Sequence, residues 1–513
     1  MRWGLYWWII KAWFPLQGRE EPTMTRFYVT TAIPYVNASP HLGHALEFVQ
    51  ADILARGRRL CGDEVRFLSG TDDNALKNVL AAEAAGVPVA EFVEQRANEF
   101  ESLGCALELS LDDYIRTSTD PRHRPGVEKL WLATAAADDL YVRDYEGLYC
   151  VGCEQFYKPT ELEDGRCPEH RTEPEVVSER NWFFRLSRYT EPLLEAIETG
   201  QLRIAPTARR NEVIAFLRGG LEDISVSRSA ERAHGWGIAV PGDPGQVIYV
   251  WYDALGNYIT ALGYGTDHSD YRDWWVDSDE RVHVIGKGIL RFHAVYWPAF
   301  LLSAGEPLPT AIFVHDYLTV EGAKISKSAG NYTDPSTLVE TYGADPLRWW
   351  FAADVPRVGD ADFTEQRLID RVNQDLAHGY GNLVNRIVTL VDKHRSGVPP
   401  QPPINDPLLD QLDQTRVSVH HALDDFDIRG AASGITSLIR AANTYIQQHR
   451  PWEHTSPGSE SRFDHTIGAL YVTALTIAEL LSVVAPDVAA RACAALENVT
   501  PGVVQPRLQA QQS

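Results

Sequence analysis

Residues 27–68 read as one strand–helix–strand unit, and that unit commits the chain to a layered α/β fold. Phe27-Tyr28-Val29-Thr30 is aromatic and β-branched, the composition of a strand. From Leu42 the apolar positions Leu42, Leu46, Val49, Ile53 and Leu60 advance by 4, 3, 4 and 7, the period of an amphipathic helix. Cys61-Gly62-Asp63 ends it, and Val65-Arg66-Phe67-Leu68 reads as the next buried strand. The loop after the first strand of such a βαβ unit lies at the carboxyl edge of a parallel sheet, where such sheets bind ligands.

The rest of the chain divides by pattern. Tyr141 to Arg185 is turn-rich and carries cysteines. A second α/β segment runs from Val247 to Val320, with strands expected at Val247–Val250 and Val282–Ile285 and a helix carrying Phe292 and Trp297. Strand signals fade from Gln366. Ile428, Ala431, Ile435, Leu438, Ala442 and Tyr445 keep helical spacing until Pro451, and Leu470–Val484 reads as a buried helix. Val398–Pro407 is a Pro-rich loop. At 513 residues the chain suggests about three domains. Its formal charge of −23 excludes a blanket-basic nucleic-acid coat, though a local basic stripe can serve; Arg203 to Arg232 holds six Arg against four acids. Six Cys are too few for a disulfide scaffold and fit a cytoplasmic protein with reduced or metal-bound thiols. No run of 18 apolar residues predicts a membrane helix. Residues 1–23, with four Trp and a short apolar run, are expected to be an extension outside the fold, with a signal peptide as the less favoured reading.

Three motifs carry chemistry. His41-Leu42-Gly43-His44 opens the first helix, where backbone N–H groups and the positive dipole end suit phosphate. Both imidazoles can donate to phosphoryl oxygens, and Gly43 lets a flat base approach; a pair of incidental histidines fits four letters equally well. Lys324-Ile325-Ser326-Lys327-Ser328, between Glu321-Gly322 and Gly330-Asn331, reads as a mobile cationic clamp for polyphosphate or as a solvated loop. Cys150-x2-Cys153, thirteen residues, then Cys167-x2-His170 match a tetrahedral structural Zn²⁺ site, with buried cysteine pairs or a disulfide as the other readings. Cys61, Cys105 and Cys493 lack partners at metal spacing and read as small core residues.

HLGH near the start and KISKS after the second α/β segment, in that order, are similar to the two signatures of class I aminoacyl-tRNA synthetases. Thr31-Ala32-Ile33-Pro34-Tyr35-Val36-Asn37, Asp223-Ile224-Ser225-Val226-Ser227-Arg228, Gly235-Trp236-Gly237, Val250-Trp251-Tyr252-Asp253-Ala254 and Ile285-Gly286-Lys287 with Phe292-His293 narrow the resemblance to methionyl-tRNA synthetases, from about Thr25 to Trp452. The resemblance implies a Rossmann-like parallel-sheet catalytic domain split by a zinc-knuckle insertion and followed by an α-helical anticodon-binding bundle. The expected segments are 24–135 and 231–320 for the catalytic halves, 136–230 for the insertion, 321–365 for the KISKS loop and stem contact, and 366–513 for the bundle.

The implied reaction is ATP-dependent activation of methionine and transfer to tRNA(Met). His41, His44, Lys324 and Lys327 would be catalytic, and Gly43, His44, Gly286, Lys287 and Lys327 would bind ATP, which brings Mg²⁺ as part of the substrate. Ile33, Tyr35, Trp251, Ala254, Tyr258, Ile289 and His293 would line the methionine pocket, where aromatic walls suit a thioether, and Asp72 would hold the ammonium. One Zn²⁺ on Cys150, Cys153, Cys167 and His170 would be structural. Trp452, after Arg450-Pro451, would stack on an anticodon base; His378 stands where the family more often has Asn. The chain lacks the appended domain that dimerises some members, so a monomer is expected. Two segments depart from the pattern. Gly-Thr-Asp-Glu-His-Gly is here Gly70-Thr71-Asp72-Asp73-Asn74-Ala75, and Gly-Lys-Asp is Gly286-Lys287-Gly288, which removes an acid expected near the ribose. They keep two alternatives open: a paralogous adenylating ligase with altered substrate or no tRNA, and a catalytically inactive tRNA-binding protein.

Overall fold

The expected βαβ unit forms in the computed structural model. Strand β1 is Arg26–Thr31, helix α1 is Leu42–Cys61 and strand β2 is Glu64–Thr71. The structure describes residues 24–152, 154–168, 171–266, 268–320, 322–324, 333–456 and 458–510. Strands β3 (Asp113–Arg116), β4 (Arg203–Ala205), β5 (Glu280–Gly286) and β6 (Ala311–His315) complete a six-stranded sheet of order β3-β2-β1-β5-β6-β4. Pairs β2–β3, β1–β5, β5–β6 and β6–β4 are parallel, with Phe27 opposite Glu280 and Gly286 opposite His315. Every residue of β6 is buried, as expected of a parallel strand covered on both faces. Strands β2 and β3 lie to one side of β1, and β5 and β6 to the other. That reversal opens a crevice at the carboxyl ends of β1 and β5.

Two expectations change. The turn-rich stretch after Tyr141 contains a four-stranded antiparallel sheet of Leu140–Cys150, Gln155–Tyr157, Glu175–Phe184 and Ile224–Ser225. Its two long strands pair from Leu140 opposite Phe184 to Tyr149 opposite Glu175. Arg143, Asp144 and Glu146 stand exposed in the first of them, so its apolar signal is diluted. The strand expected at Val247–Val250 is displaced too. Residues Asp243–Ile248 pair with Ser227–Ser229 and Ala239–Val240 in a separate antiparallel sheet, and the chain turns at Tyr249 into helix α2, Val250–Thr260. Every residue of α2 is buried, and a run buried on all sides has no period to read.

The chain resolves into two compact units, one holding Arg26–Arg56 and Val65–Ile369, the other Gly57–Glu64 and Asp370–Gln509. The second is helical: α3 (Asn382–Arg395), α4 (Pro407–Asp424), α5 (Ile428–His449), α6 (Glu460–Leu481) and α7 (Pro486–Glu497). The Pro-rich loop ends one residue early. Asp406 caps α4 by accepting from Leu408 N at 2.7 Å, and Pro407 fits the first turn because its missing N–H would have no partner there. The other Asp406 oxygen meets Tyr445 Oη at 2.6 Å and His465 Nε2 at 2.9 Å, so one carboxylate ties α4, α5 and α6. Among the described residues, no helix is long and apolar enough to cross a membrane.

In the first unit Arg348, fully buried, holds the equally buried Asp52 at 2.6 Å. Burial pushes the Asp52 carboxyl up. Arg348, Arg56 and the Ser110 hydrogen bonds outweigh it and leave the group below its ordinary value.

Candidate active site

The two histidines of the first motif sit where the crevice opens. Their rings stack at 3.8 Å between centroids and 11° between planes. His41 Nδ1 accepts from Gly43 N, and His44 Nδ1 accepts from His41 N, both at 3.1 Å. A neutral imidazole that accepts at Nδ1 carries its proton on Nε2. Burial, then the neighbouring His41 and His315, push His44 well below the usual histidine range, so it stays neutral. The folded loop therefore fixes both tautomers with Nε2–H as donor. It also explains Gly43, where a Cβ would stand 2.9 Å from His41 Cε1.

Across the crevice, Lys287 follows the end of β5. Its Nζ lies 2.6 Å from Asp360 and 3.8 Å from Asp316. Glu47, on α1, spans the mouth: one oxygen accepts from Ala32 N at 2.9 Å and the other meets His315 Nε2 at 3.1 Å. Lys324 closes a short strand, Ala323–Lys324, paired with Leu318–Val320. Lys327 lies outside the described residues.

The residues expected in the amino-acid pocket come together. Tyr35 meets Trp251 edge-on at 5.9 Å, and Trp251 meets His293 edge-on at 6.3 Å. His293 Nδ1–H donates to Ile289 O at 2.9 Å, so its Nε2 accepts from the Tyr258 hydroxyl at 2.7 Å. Burial lowers the His293 pKa to about 4, which keeps the ring neutral. Ala254 is buried on α2, and Ile33, Tyr35 and Ile289 are half-buried against the same core. The Tyr35 hydroxyl is buried without a hydrogen-bond partner among the described residues.

Asp72 ends the row, with its N–H bonded to Pro34 O at 2.9 Å and 2% of its surface exposed. Burial, then Asp253, Glu154 and Asp73, push its carboxyl well above the usual range.

The departing residues are built into this acidic floor. Asn74 Nδ2 donates to Asp253 Oδ2 at 2.8 Å, and His123 Nε2 meets Asp253 Oδ1 at 2.5 Å. Asp73 takes Thr117 Oγ1 on its N–H at 2.9 Å and the Ser118 hydroxyl on its carboxylate at 2.7 Å, while its carbonyl accepts from Trp236 Nε1 at 2.8 Å. Glu154 pairs with buried Arg228 at 2.7 Å, which gives the Asp223–Arg228 run a structural role. Burial raises the Glu154 carboxyl, but Arg228, Lys77 and the Tyr149 hydroxyl hold it below its ordinary value.

Of the expected metal ligands, Cys150 and Cys167 are buried in one small cluster with Tyr157. Cys153 and His170 lie outside the described residues. Two buried thiols packed together fit half of a tetrahedral thiolate site; among the described residues no three metal-ligating side chains group. The remaining cysteines are not core: Cys105 is exposed, and Cys61 and Cys493 are half-buried. In the helical unit, Arg450 ends α5 in the left-handed region (φ 44°) and leaves Trp452 43% exposed. Four arginines of the expected basic stretch are paired: Arg209 with Glu212, Arg218 with Glu198, Arg228 with Glu154 and Arg232 with Glu179. That stretch does not stand as an uncommitted stripe.

Glu47, His123 and Asp253 have no sequence signal as a set. His123 and Asp253 lie 130 residues apart and Glu47 and His315 lie 268 apart, and only the fold brings each pair together.

A parallel sheet with a strand-order switch, paired imidazole donors at the crevice and a lysine opposite define a nucleotide-binding α/β domain. The family described as tRNA synthetases class I (M) matches residues 27–174 and 152–388. The chain is 41% identical over 431 residues to the methionine–tRNA ligase of Caldanaerobacter subterraneus, covering 83% of this chain and 66% of that protein. It is 42% identical over 435 residues to the methionine–tRNA ligase of Brucella suis, covering 83% of each. The solved structure of Mycobacterium tuberculosis methionyl-tRNA synthetase bound by methionyl-adenylate superposes with a TM-score of 0.86 at 38% identity, covering 94% of this chain and 99% of that one. The chain belongs to the methionyl-tRNA synthetases of class I.

Proposed function

We propose that the chain is a methionine–tRNA ligase, which activates methionine with ATP and transfers it to tRNA(Met). The observation that carries the reading is the meeting, at one strand-order switch, of two Nε2–H donors with an aromatic pocket ending in Asp72. In the first step a methionine carboxylate oxygen attacks the α-phosphorus. The new P–O bond forms as the bond to the β-phosphate bridging oxygen breaks, and pyrophosphate leaves. No protein bond is made, so positioning and charge stabilisation carry the step.

His41 and His44 donate to phosphoryl oxygens, with the α1 N-terminus and the Gly43 backbone behind them. Lys287 and Gly286 take the nucleotide side, and Lys324 and Lys327 hold the pyrophosphate, with Mg²⁺ accompanying ATP as substrate. Ile33, Tyr35, Trp251, Ala254, Tyr258, Ile289 and His293 receive the side chain, and Asp72 the ammonium. The adenylate carbonyl is then attacked by the 2′-hydroxyl of the terminal adenosine, and AMP leaves. Trp452 stacks on an anticodon base, supported by its exposure after the α5 terminus.

Cys150, Cys153, Cys167 and His170 would hold one Zn²⁺, which when bound cross-links the insertion. The segments we assign are the catalytic halves 24–135 and 231–320, an insertion 136–230 whose strand Arg203–Ala205 joins the catalytic sheet, a loop segment 321–365 and a helical bundle 366–513, acting as a cytoplasmic monomer.

Pyrophosphate exchange into ATP across the amino acids tests the reading. Exchange with methionine, followed by charging of tRNA(Met), is expected. No exchange overturns the ligase reading, and exchange without charging favours an adenylating ligase that does not use tRNA.

A further inference from the structure

The aromatic pocket is braced from outside by the insertion. Lys77, in the first turn of the helix Leu76–Ala85, holds the turn after Cys150 at two points. Its N–H donates to Glu154 Oε1 at 3.2 Å, and its Nζ donates to Gly152 O at 2.9 Å. The same ammonium lies over the Tyr35 ring, 3.8 Å from its centre. One side chain thus touches both the insertion turn and a wall of the pocket. Glu154 supplies a second tie. Its carbonyl accepts from the hydroxyl of Tyr249, which caps the start of α2, the helix that carries Trp251. Glu154 is fully buried at φ 55°, a left-handed conformation that a non-glycine residue keeps only where its surroundings impose it. Arg228 and the Tyr149 hydroxyl, each at 2.7 Å from its carboxylate, do so here. The turn therefore reaches Tyr35 through Lys77 and Trp251 through Tyr249, the two rings that meet edge-on. Lys77, Gly152, Tyr35 and Trp251 line one cavity of about 370 Å³.

We propose that Lys77 is a positioning residue for the amino acid: it couples the turn holding Gly152 and Glu154 to Tyr35, so that a guest seated against Tyr35 also orders that turn. The inference rests on the pocket receiving methionine. Lys77 is half-buried, and a guest in the cavity that it lines takes water from it. Loss of water strengthens both the attraction of the ammonium to the ring and its bond to Gly152 O. By linkage, the affinity for methionine and the order of the turn then rise together and by the same factor.

The test measures methionine binding by calorimetry and hydrogen exchange of the Glu154 amide, whose N–H closes the turn onto Val151 O at 3.3 Å. Exchange is read with and without saturating methionine, on the native chain, Lys77→Met and Lys77→Arg. In the native chain methionine is expected to slow exchange of this amide by about 5-fold, the lower range of a coupling between two sites. Lys77→Met keeps the length of the side chain and loses its charge and donor. It is expected to weaken methionine binding by the same factor, about 5-fold, and to abolish the protection. Lys77→Arg keeps a cation and a donor and is expected to recover most of both. Protection that survives in Lys77→Met makes Lys77 a wall of the pocket only and overturns the proposal. Lost protection with unchanged affinity overturns it as well. So does a native chain that binds methionine without protecting the turn, a result that needs no variant to fold. A native chain that binds no methionine breaks the reading of the pocket, and this proposal with it. A chain that shows the coupling but no pyrophosphate exchange breaks the ligase reading alone.

Discussion

Asp72 is a carboxyl whose surroundings oppose its ionisation. Burial acts first, and Asp253, Glu154 and Asp73 add like charge. Its folded pKa is raised, so its contribution to stability is present at low pH and is lost as pH rises through that value. An ammonium group reverses the balance by bringing the missing positive charge. Methionine binding is therefore expected to expel about one proton and to tighten as pH rises toward the raised value. Calorimetry in buffers of different ionisation heat reads this; identical heats would refute the role of Asp72. Asp52 has the opposite sign. Its folded pKa is depressed, so its stabilisation is present above the unfolded carboxylate value and is lost as pH falls through the folded one. Arg348→Met leaves that buried carboxylate short of its main partner and is expected to cost about 3 kcal/mol in urea unfolding at neutral pH. The gap from the native chain should narrow in acid; a constant gap would refute the pairing.

The insertion is the element most dependent on what binds it. Cys150 ends a long strand and Cys167 lies in a turn, and both are buried in a cluster of three side chains. So small a core needs a cross-link. Purified protein is expected to carry about one zinc per chain. Cys150→Ser and Cys167→Ser should each lose it and lower the melting temperature, while metal-free native protein of equal stability would refute the knuckle. The elements also show what a sequence can say. Helix α5 was legible because it has one buried and one wet face; the unit β1–α1–β2 was legible from the spacing of its apolar residues, although every residue of α1 is buried or half-buried. The helix α2 was not, because it is buried all round. Leu140–Cys150 was not, because its middle is solvated. In the site, residues tied to a motif could be read directly: His41, His44 and Lys287. Glu47 and His123 could not, because His315 and Asp253 come near them only in the fold.

The charge of −23 sets how the chain as a body meets a polyanion. With four arginines of Arg203–Arg232 tied to carboxylates, that stretch offers tRNA no free basic stripe, and contact with tRNA works against an opposing overall field. Affinity for tRNA(Met) should fall as salt rises. Filter binding from low to moderate salt reads it, and a flat response would count against the tRNA partner. The crevice itself depends less on such long-range forces. Glu47 is bonded at one oxygen to the chain leaving β1 and at the other to His315 at the end of β6. It acts as a tie-rod of fixed length across the mouth. Widening the mouth would break one of these bonds, so its span is set before any ligand arrives. The gauge of the opening is thus a property of the empty protein, and the entropy of setting it is spent in folding and not in each turnover.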